Sequence, residues 1–76
     1  MKEAVEKIIR SIVGDSDSVE VDEIVDGKNV RIEVRVADGD MGRVIGKRGR
    51  VANAIRTIVR AAAVRDGVDV DVEFED

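Results

Sequence analysis

Two stretches of strict alternation, residues 30–36 and 68–74, constrain the fold more than any other feature of the sequence. In both, apolar residues occupy every second position and charged residues stand between them. This period of two predicts β-strands that each bury one face. The intervening residues 37–67 are long enough to join the two strands in parallel by a crossover, which should be right-handed.

A helix and a further strand are predicted before this crossover. Residues 2–13 place aliphatic side chains at helical spacing, which indicates an amphipathic helix. Residues 19–25 have the character of a strand, and Asp26-Gly27 is a typical turn between this strand and the next. The chain is therefore predicted to begin with a helix that is followed by a β-hairpin.

Two helices are predicted inside the crossover. Residues 39–45 fit a short helical turn with Asp38 as its N-cap, and residues 50–65 fit the longest helix. The fold class is therefore α+β: a single domain, residues 1–76, in the order α-β-β-α-α-β, with a three-stranded mixed sheet and helices packed on one face. The predicted core side of the long helix consists of Val51, Ile55, Ile58, Val59 and Ala62.

The basic residues are concentrated in one part of the chain. The formal net charge is −4, yet residues 41–65 contain seven basic residues and no acidic one. Residues 15–40 contain three basic and nine acidic residues, and residues 66–76 contain six acidic residues and no basic one. Because the distribution of charge decides what a surface attracts, the basic segment predicts contact with a polyanion in spite of the net charge.

The composition argues against an enzyme. The chain contains no His and no Cys, which removes disulfides, thiol nucleophiles, most zinc sites and the usual proton shuttle. The glycine spacings match neither a P-loop nor a dinucleotide-binding loop, and no apolar run approaches the ~20 residues of a membrane span. We therefore expect no catalytic residue, no metal ligand, no cofactor and a cytoplasmic location.

The segment Gly46-Lys47-Arg48-Gly49 lies between two predicted helices. A phosphate–sugar backbone can approach the main chain closely where glycine leaves no Cβ in the way. The amides at a helix N-terminus also attract phosphate, and the two cations between the glycines add positive charge. The predicted phosphate-binding residues are Gly46, Lys47, Arg48 and Gly49, with Arg43 and Arg50 on either side.

The same segment carries a resemblance to a known family. Residues 45–50, followed by Ala54-Ile55, resemble the KH-domain signature, in which a GxxG loop grips about four nucleotides of a single strand. The predicted order of elements is similar to the type II KH arrangement. Over essentially its whole length, the chain is similar to the small bacterial RNA-binding proteins of the KhpA type, through residues 40–47, 54–57 and 61–63.

The resemblance implies a function and partners. It implies a cytoplasmic protein that binds single-stranded RNA through the GxxG loop and acts as an RNA chaperone or post-transcriptional regulator. It also implies pairing, either as a homodimer or as a heterodimer with a larger KhpB-type KH protein. Two alternatives remain open. The bound nucleic acid could be single-stranded DNA instead of RNA, or the KH fold could serve for dimerisation or ribosome docking with little RNA binding of its own.

The basic segment holds no aromatic residue on which bases could stack. Val44 and Ile45 are therefore candidates for an aliphatic floor beneath the bases, and the alternative is that they are core residues. Recognition by phosphate contacts and such a floor predicts modest affinity and weak sequence preference.

Other residues of the long helix and of the sheet allow two interpretations. Arg56 and Arg60 form either a solvated helix face or a secondary track for RNA, on the side of the helix opposite the core. Arg31 and Arg35 are predicted to form ion pairs with the acidic residues of the last strand, Asp69, Asp71 and Glu73. Small residues also recur at helical spacing on the long helix: Ala54, Thr57, Ala61 and Val64. Because small residues let another helix come close, these four are a candidate dimer interface. The alternative is that they belong to a wide core face.

Overall fold

The computed structural model describes residues 1–75, so that only Asp76 of the predicted domain lies outside the described residues. Three helices and three strands follow one another in the predicted order α-β-β-α-α-β, and short 3-10 turns precede β1, α2 and α3. The elements are α1 (Lys2–Ile12), β1 (Glu20–Asp26), β2 (Asn29–Arg35), α2 (Met41–Ile45), α3 (Arg50–Asp66) and β3 (Asp69–Glu75).

The sheet is mixed and has the strand order β1-β2-β3. β1 and β2 form an antiparallel hairpin, and β2 and β3 run parallel with Val30 opposite Val70 and Ile32 opposite Val72. The α+β fold class and the parallel crossover predicted from the two alternating stretches are therefore confirmed. The first turn lies one residue later than predicted, because Asp26 pairs with Asn29 and leaves Gly27 as the first loop residue.

The core lies between the helices and the face of the sheet that carries the alternating aliphatic residues. Burying such a side chain fully stabilises the fold by about 1.5–3 kcal/mol relative to leaving it exposed. Helix α1 contributes its two buried residues to the same cluster as β2. The most deeply buried large side chains are Val5, Ile9, Ile32, Val34 and Val44.

Two details of the helices differ from the prediction. Asp38 is not a helix cap: a 3-10 turn occupies Asp38–Asp40, α2 begins only at Met41, and no side chain caps either element. Ile58, predicted to be in the core, is 59% exposed, because the buried stripe of α3 is rotated toward smaller residues that pack close to the sheet. That stripe consists of Ala52, Ile55, Val59 and Ala63.

Among residues 1–75, every helix falls short of the length and apolar character that a membrane crossing requires.

Candidate nucleic-acid interface

The glycine bend, residues 46–49, joins α2 to α3 in a conformation that few residues other than glycine can adopt. Gly46 has φ 77° and ψ 173°, and its amide donates to the Gly42 carbonyl at 2.9 Å, which closes α2. The Gly49 amide then donates to the Gly46 carbonyl at 3.1 Å, and α3 begins at Arg50. The chain thus turns from one helix into the next within four residues.

Gly46 is required by packing as well as by its positive φ. A Cβ at this position would lie 2.8 Å from the Val51 amide nitrogen and 2.5 Å from Val51 Cγ2. Contacts this short do not occur in real proteins, and the backbone of α3 cannot move aside without disturbing the helix. The main chain of the glycine bend therefore lies directly against the first turn of α3.

The other half of the glycine bend is open to solvent. Arg48 (φ 57°) and Gly49 (φ 75°) both adopt the left-handed conformation, which costs a residue with a side chain about 1–2 kcal/mol. A Cβ at Gly49 would meet only Asn53 Nδ2, at 3.7 Å. The first turn of α3 has no side-chain cap, and the Arg50 amide at its start donates to the Lys47 carbonyl.

Exposed positive charge surrounds this open main chain. The side chains of Lys47, Arg48 and Arg50 are exposed. Within residues 1–75, none of the three forms an ion pair. Arg43 is also exposed, but its Nε lies 3.9 Å from Asp40 Oδ1. Full cations therefore meet the N-terminus of α3, which carries no side-chain cap, and this combination is the chemistry that favours a phosphate group.

The structure separates the two candidates for an aliphatic floor. Val44 is 0% exposed. It is therefore a core residue, as the alternative interpretation held, and it offers no surface to a ligand. Ile45 is half-buried and packs against the core from the end of α2. Of the two, only Ile45 has accessible apolar surface next to the glycine bend.

Arg56 and Arg60 differ in their surroundings: Arg56 is half-buried against β3, whereas Arg60 lies on a solvated face with its side chain 57% exposed. Arg56 Nε donates to the Val72 carbonyl at 3.0 Å, and its guanidinium lies 5.4 Å from the centroid of the Phe74 ring. Arg60 Nη2 lies 3.5 Å from Asp71 Oδ1. Arg56 therefore links α3 to the edge strand β3, whereas Arg60 reaches β3 only through an exposed ion pair.

Acidic residues are concentrated on the outer face of the sheet. Arg35 pairs with Glu75 at 3.2 Å and reaches Glu20 on β1 at 3.7 Å. It therefore does pair with the last strand, but with Glu75 and not with the expected Asp69, Asp71 or Glu73. Arg31 instead pairs with Glu33 on its own strand at 3.5 Å. The prediction for Arg31 was wrong because residues two apart on a strand share a face.

The carboxylates of Glu33, Glu73 and Glu75 lie within 4.8 Å of one another on this face. Burial, followed by the hydrogen bond and the repulsion from Glu75, raises the pKa of Glu33. Arg31 and Arg35 oppose this rise and offset it only in part. The group is therefore a like-charge cluster in which Arg31 pairs with Glu33 and Arg35 pairs with Glu75.

Asp40 is a residue of the site region that the sequence did not reveal. Its carboxylate is buried and accepts hydrogen bonds from the amides of Gly14 and Asp15, both at 3.0 Å. These two hydrogen bonds, with Arg43 nearby, lower the pKa of Asp40. No local sequence pattern signals this contact, because the donors lie 25 and 26 residues away along the chain.

The outer side of α3, which we call the α3 face, is apolar and exposed. Ile58 is 59% exposed and Val64 is 76% exposed. The other members of the face are also exposed, so the interpretation of these residues as a wide core face is wrong. The α3 face consists of Ala54, Thr57, Ile58, Ala61 and Val64.

The order of the elements and the position of the glycine bend define a class of protein. A three-stranded mixed sheet in the order α-β-β-α-α-β, with a Gly-x-x-Gly bend between the second and third helices, is a KH domain of type II.

Comparison with known proteins places the chain within this class. The model of the KhpA/KhpB KH domain matches residues 2–74, and the chain belongs to this family. It is 49% identical over 74 residues to the RNA-binding protein KhpA of Caldanaerobacter subterraneus and 47% identical to that of Clostridium perfringens. Each alignment covers 97% of this chain and 99% of the relative. No solved structure matches the chain.

Proposed function

We propose that residues 1–76 act as a single KH domain that binds single-stranded RNA in the cytoplasm. The RNA backbone lies along the glycine bend, where its phosphates face the N-terminus of α3 and accept hydrogen bonds from the side chains of Lys47, Arg48 and Arg50. The observation that carries the proposal is the coincidence of open space around the half-buried Gly49 with exposed cations that have no acidic partner within residues 1–75. The relatives named above as RNA-binding proteins support it.

The site predicts how the ligand is recognised. The phosphate contacts proposed here carry no sequence information. Ile45 and Val51 are both half-buried aliphatic residues beside the bend, and the basic segment, residues 41–65, holds no aromatic side chain. We therefore propose modest affinity with weak sequence preference, which suits an RNA chaperone or a post-transcriptional regulator. Competition between labelled RNA and DNA of equal sequence separates RNA from single-stranded DNA as the ligand.

Charge reversal in the glycine bend tests the proposal. Lys47→Asp combined with Arg48→Asp should weaken binding to a single-stranded RNA by more than about tenfold, because a hydrogen bond to a charged group contributes about 1.5–3 kcal/mol. Aspartate tolerates the left-handed conformation of residue 48 better than most residues do, so the fold should persist. The measurement is fluorescence anisotropy with a labelled oligonucleotide.

A matched control variant separates the effect of the glycine bend from the effect of the changed net charge. Lys2→Asp combined with Lys7→Asp makes the same change in net charge on α1, far from the glycine bend along the chain. The control variant should bind RNA nearly as well as the natural chain. Equal losses in the two variants would attribute the effect to overall charge, and unchanged binding in the glycine-bend variant would refute the proposal.

We further propose that the α3 face is a dimerisation surface. The specific observation is that Ile58 and Val64 are large, apolar and exposed on a helix face that carries no acidic residue. The small residues beside them let a second helix approach closely. The partner is a second copy of this chain, and a heterodimer with a larger KhpB-type KH protein is the alternative. Two weak RNA sites linked in one dimer would bind more tightly than either alone.

A further inference from the structure

Asp40 is the one buried residue with a charged side chain among residues 1–75. Its Oδ1 accepts from the Gly14 amide and its Oδ2 from the Asp15 amide, each at 3.0 Å. Both carboxylate oxygens are therefore used, and they join the segment after α1 to the residue that directly precedes α2. A charge is costly to bury unless it is paired or hydrogen-bonded in this way, so the contact is specific and not incidental.

The helix that Asp40 precedes leads directly into the glycine bend. α2 contains only five residues, and a helix this short is not stable without tertiary contacts. Three contacts fix its orientation. They are Asp40 at its start, the fully buried Val44 in its middle, and the packing of Gly46 against Val51 at its end. The position of the glycine bend relative to the rest of the domain depends on all three.

Asp40 also holds a side chain of the basic segment. Arg43 Nε lies 3.9 Å from Asp40 Oδ1, and a Cβ added to Gly14 would lie 3.2 Å from Arg43 Nη1. The guanidinium therefore rests on the bare backbone of Gly14, although the side chain of Arg43 is 62% exposed. Holding a flexible arginine in place before binding lowers the conformational entropy that binding must remove.

We propose that Asp40 is a positioning residue for RNA binding. It contacts no RNA itself, and it acts by holding α2 and Arg43 so that the glycine bend presents its cations in the orientation that binds. This inference rests on the proposed function of the glycine bend.

The test compares Asp40→Asn with a variant of matched stability. The amide of asparagine offers one acceptor and one donor, so at least one of the two backbone amides loses its partner. The expected result is RNA affinity lower by about fivefold to tenfold, with faster hydrogen exchange at the Gly14 and Asp15 amides. Val21→Ala removes buried volume from β1 and is the control for general destabilisation.

Measurements are made at a temperature where both variants are folded. Val21→Ala should bind RNA like the natural chain even if its thermal midpoint falls as far as that of Asp40→Asn. If Asp40→Asn does not fold, Asp40→Glu replaces it, since it keeps both acceptors on a side chain that is one methylene longer. The longer side chain should displace α2, and the variant should again bind RNA more weakly.

The outcomes separate this inference from the proposed function. One outcome is full RNA affinity in the folded Asp40 variant together with lost binding in the Lys47→Asp, Arg48→Asp variant. This outcome would overturn the inference about Asp40 and leave the proposed function of the glycine bend intact. Equal weakening in Asp40→Asn and Val21→Ala would reduce Asp40 to a stabilising contact and would also overturn it. Retained binding in the Lys47→Asp, Arg48→Asp variant would remove the proposed function itself.

Discussion

At the scale of single residues, three glycines near the basic segment are glycine for different reasons. Gly46 combines a positive φ with a backbone contact that leaves no space for a Cβ. Gly49 has the positive φ but open space around it, and Gly42 has neither restriction. Since the main chain of the glycine bend is the proposed surface for RNA, these differences give a way to test its geometry without changing any charge.

Alanine substitution should therefore give three different outcomes. Gly46→Ala should destabilise the fold by about 2–4 kcal/mol, because strain at positive φ adds to overpacking. Gly49→Ala should cost about 1 kcal/mol, and Gly42→Ala should stabilise the exposed helix by about 0.5–1 kcal/mol. Thermal unfolding measures all three, and each 1 kcal/mol moves Tm by about 4–8 °C in a domain of this size. Equal effects at positions 46 and 49 would contradict the packing described for Gly46.

The like-charge cluster on the sheet gives a prediction about pH. The pKa of Glu33 is raised in the fold, mainly by burial, so the fold favours its protonated form. That contribution to stability is complete at a pH below the unfolded pKa and is lost as the pH rises through the folded pKa. Glu33→Gln should therefore raise Tm by a few degrees at pH 7 and have little effect near pH 3. A lower Tm at pH 7 would show that the ion pair with Arg31 outweighs burial.

Local chemistry made the glycine bend predictable, whereas contacts distant in sequence did not follow from any pattern. A Gly-x-x-Gly bend needs only its own four residues and the helix after it, and these stand together in the sequence. The partners of Asp40 and Arg56 lie 26 and 16 residues away, and only the packing of α1 and β3 brings them within reach.

At the scale of elements, α3 has two apolar sides, one that packs in the core and one that is exposed. Its inner stripe is buried through small residues that bring the helix close to the sheet, and its outer face carries exposed aliphatic side chains. Apolar residues on both sides of one helix explain why Ile58 was assigned to the core, since periodicity alone does not distinguish the two faces when both are apolar. The strands were predictable because their alternation is strict.

Self-association through the α3 face is the prediction at this scale. Ile58→Glu should convert a concentration-dependent dimer into a monomer, because it places a charge in the middle of an apolar contact. Val25→Glu is the matched control, since Val25 is 62% exposed and lies on β1. Sedimentation velocity over a range of concentrations measures the effect. A natural chain that is monomeric at every concentration would contradict the homodimer, as would an equal loss of dimer in the control.

At the scale of the whole molecule, a net negative chain separates its charges by face. Basic side chains surround the glycine bend between two helices, and carboxylates line the uncovered face of the sheet. The domain measures 34 × 23 × 18 Å, so these regions lie only a few Debye lengths apart at physiological ionic strength, where that length is about 8 Å. The separation should orient an approaching polyanion toward the bend and away from the sheet.

The salt dependence of RNA affinity tests the central claim most directly, because it counts the phosphates that the protein neutralises. Each contact to a single strand contributes roughly −0.7 to the slope of log K against log salt. If Lys47 and Arg48 each contact a phosphate, the Lys47→Asp, Arg48→Asp variant should have a slope shallower by about 1.4, and the Lys2→Asp, Lys7→Asp variant should keep the natural slope. An unchanged slope in the first variant would mean that RNA does not lie on the glycine bend.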